Sequence, residues 1–402
     1  MKLRFTNARI VCPDTGVRDG DLFVDDGVIV DSLDDADTID CRGKTLAPGI
    51  IDFGVATVDA AACRAGGIVR VALMPDGVPV LDDPGIVQRV ALMGKPDLWI
   101  HPIAAATRGL DGRDLAEMAI CCSAGAKAVG TGRHWIADSG VMARVLAYAH
   151  DLDIAVVTHA EDGGMTAGAV ATDGETATRL GLPSAPATAE ALAIARDLML
   201  AEAADARLHI RQVTTKAGLD LVRAAKRRGV RVTCGITPAH LHLSDIAMSD
   251  FRTFAHLSPP LRAESDRRAA IAAIADGTID VIASGHDPRG PEEKRLPFAD
   301  SSPGMAGAET LLALSLMLVR DGQVSLDRLF ALLARNPASV LGLESGTLRT
   351  GMPADLLLFD SAAPWRIDGE RFAAAGNTPF DGLPVEGRVL RLWKGGREIR
   401  AA

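Results

Sequence analysis

The sequence predicts an α/β protein: a (β/α)8 TIM barrel with a small β-sandwich domain built from both termini. Three observations carry this. Short strand-and-turn patterns occupy both ends of the 402-residue chain. Eight apolar runs of strand length fill the middle, with segments of helical period between them. Those middle runs are predominantly apolar rather than alternating, as expected of strands covered on both faces of a parallel sheet.

At the amino end, Leu3-Arg4-Phe5-Thr6-Asn7-Ala8-Arg9-Ile10-Val11 alternates and Pro13-Asp14-Thr15-Gly16 turns. Residues 21–24 then extend, and Asp25-Asp26-Gly27 turns again. Barrel strands are expected at 50–58, 68–74, 98–104, 126–129, 154–158, 208–213, 230–236 and 279–283. Helical period marks Leu115-Ala116-Glu117-Met118-Ala119-Ile120 and residues 187–203. Residues 288–304, with the run Glu292-Glu293-Lys294-Arg295, lack strong periodicity and are expected as a mobile flap over the barrel mouth. Near the other end, Ala354-Asp355-Leu356-Leu357-Leu358-Phe359-Asp360 reads as a buried strand. Another, Arg388-Val389-Leu390-Arg391-Leu392-Trp393, precedes Gly395-Gly396. The expected division is a composite β domain from residues 1–48 and 343–402 around a barrel of residues 49–342.

Composition narrows the function. With 43 Lys+Arg against 52 Asp+Glu the net charge is −9, which argues against a nucleic-acid carrier, whose affinity comes from cations on phosphates. The basic cluster Lys226-Arg227-Arg228 with Arg231 falls where a helix should end, a position the helix dipole favours for cations. Met1-Lys2-Leu3-Arg4-Phe5 does not open a signal peptide, and the longest apolar stretch, 311–319, is about half a membrane span. Six cysteines (Cys12, Cys41, Cys63, Cys121, Cys122, Cys234) form no C-x-x-C pair and fit reduced thiols. A cytoplasmic protein off the membrane is expected.

In this fold chemistry sits at the C-terminal ends of the strands. In order these read Asp52-Phe53-Gly54-Val55-Ala56, Met74-Pro75-Asp76, Thr131-Gly132, His159-Ala160-Glu161, Gln212-Val213-Thr214, Thr237-Pro238 and Gly285-His286-Asp287. Only His159 and His286 bring imidazoles, and neither has a second histidine at ligand spacing. The one H-x-H, His240-Leu241-His242, lies beyond the seventh strand and reads as packing. Gly130-Thr131-Gly132 lacks the third glycine of a nucleotide loop and reads as a turn. By residue type, His159, Glu161 and Asp287 are the remaining set for a cation, and Asp59, Asp76, Asp162 and Arg289 the polar set for a small molecule.

Several motifs together resemble the dihydroorotase branch of the amidohydrolase superfamily. Leu46-Ala47-Pro48-Gly49-Ile50-Ile51-Asp52 leads into the first barrel strand, and Gly351-Met352-Pro353-Ala354-Asp355-Leu356 closes the chain's return to the β domain. Between them come Met74-Pro75-Asp76-Gly77-Val78-Pro79, Thr158-His159-Ala160-Glu161-Asp162 and Val213-Thr214-Thr215-Lys216. Thr237-Pro238-Ala239-His240-Leu241, Pro259-Pro260-Leu261-Arg262, Pro291-Glu292-Glu293-Lys294 and Gly304-Met305-Ala306-Gly307-Ala308-Glu309-Thr310 follow. The most specific element is Asn377-Thr378-Pro379-Phe380-Asp381-Gly382.

The resemblance implies a zinc-dependent opening or closing of a cyclic amide, yet the family's ligand positions are emptied. Its His-x-His pair falls on Gly54 and Ala56, its sixth-strand histidine on Gln212, and its eighth-strand aspartate, ligand and general base, on Gly285. The acidic or carboxylated-lysine ligand falls near Thr131 or Gly132. His159 alone survives. The substrate-binding arginine has no counterpart in Thr57-Val58-Asp59-Ala60, and Asp76, Ser258 and Arg289 replace other contacts. Zinc catalysis needs about three protein ligands, and glycine and alanine have no donor atoms. The resemblance therefore leads to a non-catalytic dihydroorotase-like protein of pyrimidine biosynthesis with no cofactor. Its implied partner is the aspartate carbamoyltransferase catalytic subunit, in a homo- or hetero-oligomer. A residual pocket from Asp76, His159, Ser258, His286 and Arg289 is expected at the mouth. The alternative is an active zinc dihydroorotase, or a related cyclic amidohydrolase, converting dihydroorotate and water to N-carbamoyl-L-aspartate at an unusual site.

Overall fold

A strand whose two faces are both covered can be apolar on both, and the eight runs of the middle are predominantly apolar. The computed structural model describes residues 1–373 and 376–399. It places Ile50–Val55, Ile68–Leu73, Trp99–Ala105, Ala128–Gly130, Ala155–Thr158, Arg207–Ile210, Val232–Ile236 and Val281–Ile282 side by side, each parallel to the next. Alternate residues separate into two cores. Ile51, Phe53, Ala72, Ile103, Ala128 and Val157 pack inside the barrel. Ile50, Val71, Ala104, Val129 and Val156 face the outer helices with Val145, Leu198 and Leu219.

The eighth and first strands are tied by side chains. Asp52 is fully buried; its Oδ1 accepts from the Ser284 N–H at 2.8 Å and its Oδ2 from the Ser284 hydroxyl at 2.5 Å. The Ala56 N–H also donates to the His286 carbonyl at 3.1 Å. Burial pushes the Asp52 carboxyl up to about 6 against the opposing pull of the Ser284 contacts.

The helix Lys216–Arg228 ends as its sequence predicts. Lys226, Arg227 and Arg228 fill its last turn, and Gly229 adopts φ +86° beyond it. The cations are used locally: Lys226 pairs with Asp280 at 2.6 Å and Arg228 with Glu202 at 2.8 Å. Among the described residues no helix is long and apolar enough to cross a membrane. The apolar stretch forms Leu311–Arg320, which buries seven of its side chains.

Both ends of the chain build one sheet. Lys2–Cys12, Gly16–Asp25, Val28–Val30, Asp37–Asp40 and Thr45–Pro48 join Leu356–Arg366, Pro384–Lys394 and Arg397–Glu398. Phe5 and Trp393 lie three strands apart in this sheet, yet their rings meet edge-on at 4.9 Å, so the sheet curls over its own core. Asp355 anchors it to the barrel by accepting from Arg70 at 2.7 Å, and all six cysteines are free.

Residues 288–304 differ from expectation. Instead of a free flap they form an anchored cap. Pro291–Lys294 is a helical turn whose Lys294 points inward, donating to the carbonyls of Thr253 and His256 at 3.0 and 3.4 Å. Phe298 is buried and stacks on His256 at 5.0 Å. Single inward anchors, not a periodic stripe, hold the segment, so periodicity misses it.

Candidate functional site at the barrel mouth

The strand ends converge as the fold requires. Gly54, Ala56, Gln212 and Gly285 border one chamber of about 30 Å³ together with Ser258 and His286. His159 lies one step out, in an adjoining cavity of about 240 Å³ that it shares with Glu161 and Arg133. A larger cavity of about 1030 Å³ lies against the terminal sheet and includes none of the strand-end residues.

The centre of the mouth is held by a residue that the sequence reading passed over, Arg211. Its stem lies against Gly54: a Cβ at position 54 would stand 3.1 Å from the Arg211 Cδ and 3.3 Å from its Cγ. Gly54 also has φ +80°, where a side chain is strained. Arg211 Nη2 donates to His159 Nδ1 at 3.4 Å, and His159 Nε2 faces Glu161 Oε2 at 3.1 Å. These contacts assign the Nε2–H tautomer to a neutral imidazole. Burial, with Arg133 nearby, lowers the Arg211 pKa, while Asp76, Asp287 and Glu161 oppose that shift. The eighth-strand position is closed similarly. Gly285 has φ +64°, and a Cβ there would stand 2.9 Å from Thr237 Cγ2 and 3.1 Å from Met305 Cε.

Beside this arginine sits a buried polar network. Arg262 Nη2 donates to Glu161 Oε1 at 2.8 Å and to Glu190 Oε2 at 3.3 Å. Its Nε reaches Thr214 Oγ1 at 2.9 Å and its Nη1 reaches Thr172 Oγ1 at 3.0 Å. Glu190, fully buried, also accepts from the N–H and hydroxyl groups of both Thr214 and Thr215. Burial alone would raise the Glu161 carboxyl, but His159 and Arg262 outweigh it and hold it at about 2. Glu161 thus spends both oxygens on protein partners.

The other polar candidates are likewise engaged. Asp287 Oδ2 binds Arg133 at 2.6 Å and Arg289 at 2.8 Å, so this oxygen is spent on two guanidinium groups. Asp76 Oδ1 accepts from the Arg133 N–H at 2.7 Å. Arg289 turns to Asp287 and the Pro303 carbonyl instead of the chamber. Asp59 and Asp162, read as pocket candidates, cap short helices beginning at Ala60 and Gly163. His240 contacts Thr237 and the Pro259 carbonyl, and His242 the Leu314 carbonyl, as packing residues.

The donor set does not fit the family's metal. Gly54, Ala56 and Gly285 have no ligand atoms, His159 has both nitrogens engaged, and a guanidinium lies beside it. Among the described residues no group of three His, Cys, Asp or Glu side chains is placed to hold a metal ion. Zinc at a catalytic site needs about three such ligands.

A dihydro-orotase-like family model matches residues 47–218. The dihydroorotase of Syntrophotalea carbinolica is 37% identical to the chain, over 97% of each. That of Geobacter metallireducens is 36% identical over 99% of each. The chain belongs to the dihydroorotase-like family. Among solved structures, the L-hydantoinase of Arthrobacter aurescens superposes with a TM-score of 0.87 at 24% identity, covering 99% of this chain and 95% of that one. The dihydropyrimidinase of Brevibacillus agri gives 0.85 at 22%, with the same coverage. These likenesses show the fold alone, a barrel with a β domain.

Proposed function

We propose that this chain is a non-catalytic member of the dihydroorotase-like family, kept for its framework and acting as structural partner of the aspartate carbamoyltransferase catalytic subunit. The observation that carries the first half is Arg211, a cation lying where a metal's ligands should converge. Water is a poor nucleophile at neutral pH unless a metal lowers its pKa or a base takes its proton. Here Gly285 replaces the base and no ligand set remains. The second half is supported by the resemblance and by the intact framework around an altered mouth, since a fold can persist for its surface after its site has changed.

Metal analysis of freshly purified protein tests the first half. Less than about 0.1 zinc per chain and no dihydroorotate turnover are expected, because a site with one imidazole lacks the roughly three ligands zinc needs. Co-expression with aspartate carbamoyltransferase tests the second: the two should co-purify, and transferase assembly should fall when this chain is omitted. A transferase fully assembled and active alone rules the partnership out. The names of the relatives favour a second reading, an active dihydroorotase. Stoichiometric zinc with chelator-sensitive hydrolysis to N-carbamoyl-L-aspartate would establish it.

A further inference from the structure

Three buried polar atoms of residues that line the inner chamber have no hydrogen-bond partner among the described residues: Arg211 Nε, Gln212 Oε1 and His286 Nε2. His286 and Gln212 are only 1% and 6% exposed, so bulk water does not serve them. The His286 tautomer follows from its other nitrogen. Nδ1 accepts from the N–H groups of Gly307 and Ala308, both at 3.3 Å, which leaves Nε2 as a donor into the chamber. Gln212 can present either its oxygen or its NH2 by an amide flip. The chamber lining contains two guanidinium groups, Arg133 and Arg211, and one carboxylate, Asp287. Asp76 sets a second carboxylate against these cations, so the case for an anion rests on the unmade donors and not on net charge.

Buried donors left unmade are unfavourable. We propose that this chamber binds a small monoanion, at the place where relatives of this family would hold a cation. A chamber of about 30 Å³ admits an ion or group the size of chloride or a carboxylate head, against Arg211 Nε–H, His286 Nε2–H and the Gln212 amide. Arg133, Ser258, Leu257 and Pro303 border both this chamber and the 240 Å³ cavity. A carboxylate in the inner chamber can thus belong to a larger molecule lying in the outer one. The Asp76 Oδ2, buried and without a partner among the described residues, opposes an anion, so binding must come from the Arg211, His286 and Gln212 donors.

The inference rests on the metal-free reading above, but the two fail separately. Tightly held zinc overturns that reading; an absent anion response in metal-free protein overturns only this one. Full-length protein in sodium HEPES buffer at constant ionic strength, free of carboxylates and halides, is titrated with chloride, acetate or succinate while the thermal midpoint is followed. A saturable rise is expected, because a ligand bound only to the folded state stabilises it by mass action. Succinate at least tenfold tighter than acetate assigns the site to a larger carboxylate; chloride and acetate binding as well as succinate assign it to a free ion. Gln212→Glu, which places a carboxylate in the chamber, and Arg211→Met, which removes the cation, should each weaken binding at least tenfold. If one variant fails to fold, the other and the wild-type titration decide. No saturable shift by about 200 mM, a concentration that would reveal even a millimolar Kd, or an unchanged response in a folded variant, overturns the inference.

Discussion

Arg211 and Gly54 show how a single pair of positions redefines the mouth. The missing side chain at 54 is also the space the arginine stem fills. Gly54→His therefore restores a ligand type at a backbone of φ +80° and against Arg211 Cδ. It should recover neither zinc nor hydrolysis, because ligands act as a set. It should also lower stability by about 1–3 kcal/mol through strain and overpacking. Metal content and a urea midpoint on the same sample check both halves; bound zinc or unchanged stability contradicts them. Glu190 makes the opposite case. It is fully buried and accepts from two threonines and Arg262, so Glu190→Ala takes one of two carboxylates from Arg262 and leaves four threonine donors without their acceptor. A loss of about 3–5 kcal/mol is expected from breaking a buried ionic network, read from the denaturant midpoint. The sequence displayed the absences here plainly, since a glycine where a ligand belongs is visible without coordinates. What filled the gap was not visible. Arg211 follows Leu208-His209-Ile210 and carries no local signal, because its role depends on Gly54, more than 150 residues away.

Elements were legible where both of their faces are covered. All eight barrel strands occur within the expected apolar runs or one residue beyond them, because continuous burial leaves a continuous apolar record. Residues 288–304 were not legible in this way, since Lys294 and Phe298 anchor them one contact at a time. The seam between the eighth and first strands was hidden too: Val281–Ile282 is only two residues long and relies on Ser284 gripping Asp52. Ser284→Ala removes the hydroxyl donor and leaves a buried carboxyl oxygen short of a partner. A loss of about 1–3 kcal/mol is expected. Amide exchange should also quicken at residues 281–286 more than in Ile68–Leu73, which is paired on both sides. A uniform change across the barrel would show that the seam is not a local weak point.

For the molecule as a whole, buried imidazoles set the response to acid. Burial lowers His101 and His209 to about 3 and His240, His256 and His286 to about 4, from an ordinary 6.5. Between about pH 6.5 and 4 the unfolded chain takes up protons at these sites that the native chain refuses. Each such proton removes about 1.4 kcal/mol of stability per pH unit as the pH falls. Asp52 and Asp197 act in the other direction. Burial raises both to about 6, so the native state keeps protons there and loses that advantage as pH rises from 3.8 through 6. Five imidazoles against two carboxyls leave the imidazoles dominant. Glu161, held at about 2, adds a further loss below pH 4.5. Stability should therefore be level between about pH 7 and 8, above which Lys294, lowered to about 8 by burial, begins to contribute, and fall steadily from 6.5 to 4, with net proton uptake on unfolding at pH 5. Calorimetry in buffers of different ionisation enthalpy measures that uptake directly. Proton release at pH 5, or a thermal midpoint constant from pH 7 to 5, would mean that these histidines are not held neutral in the folded protein.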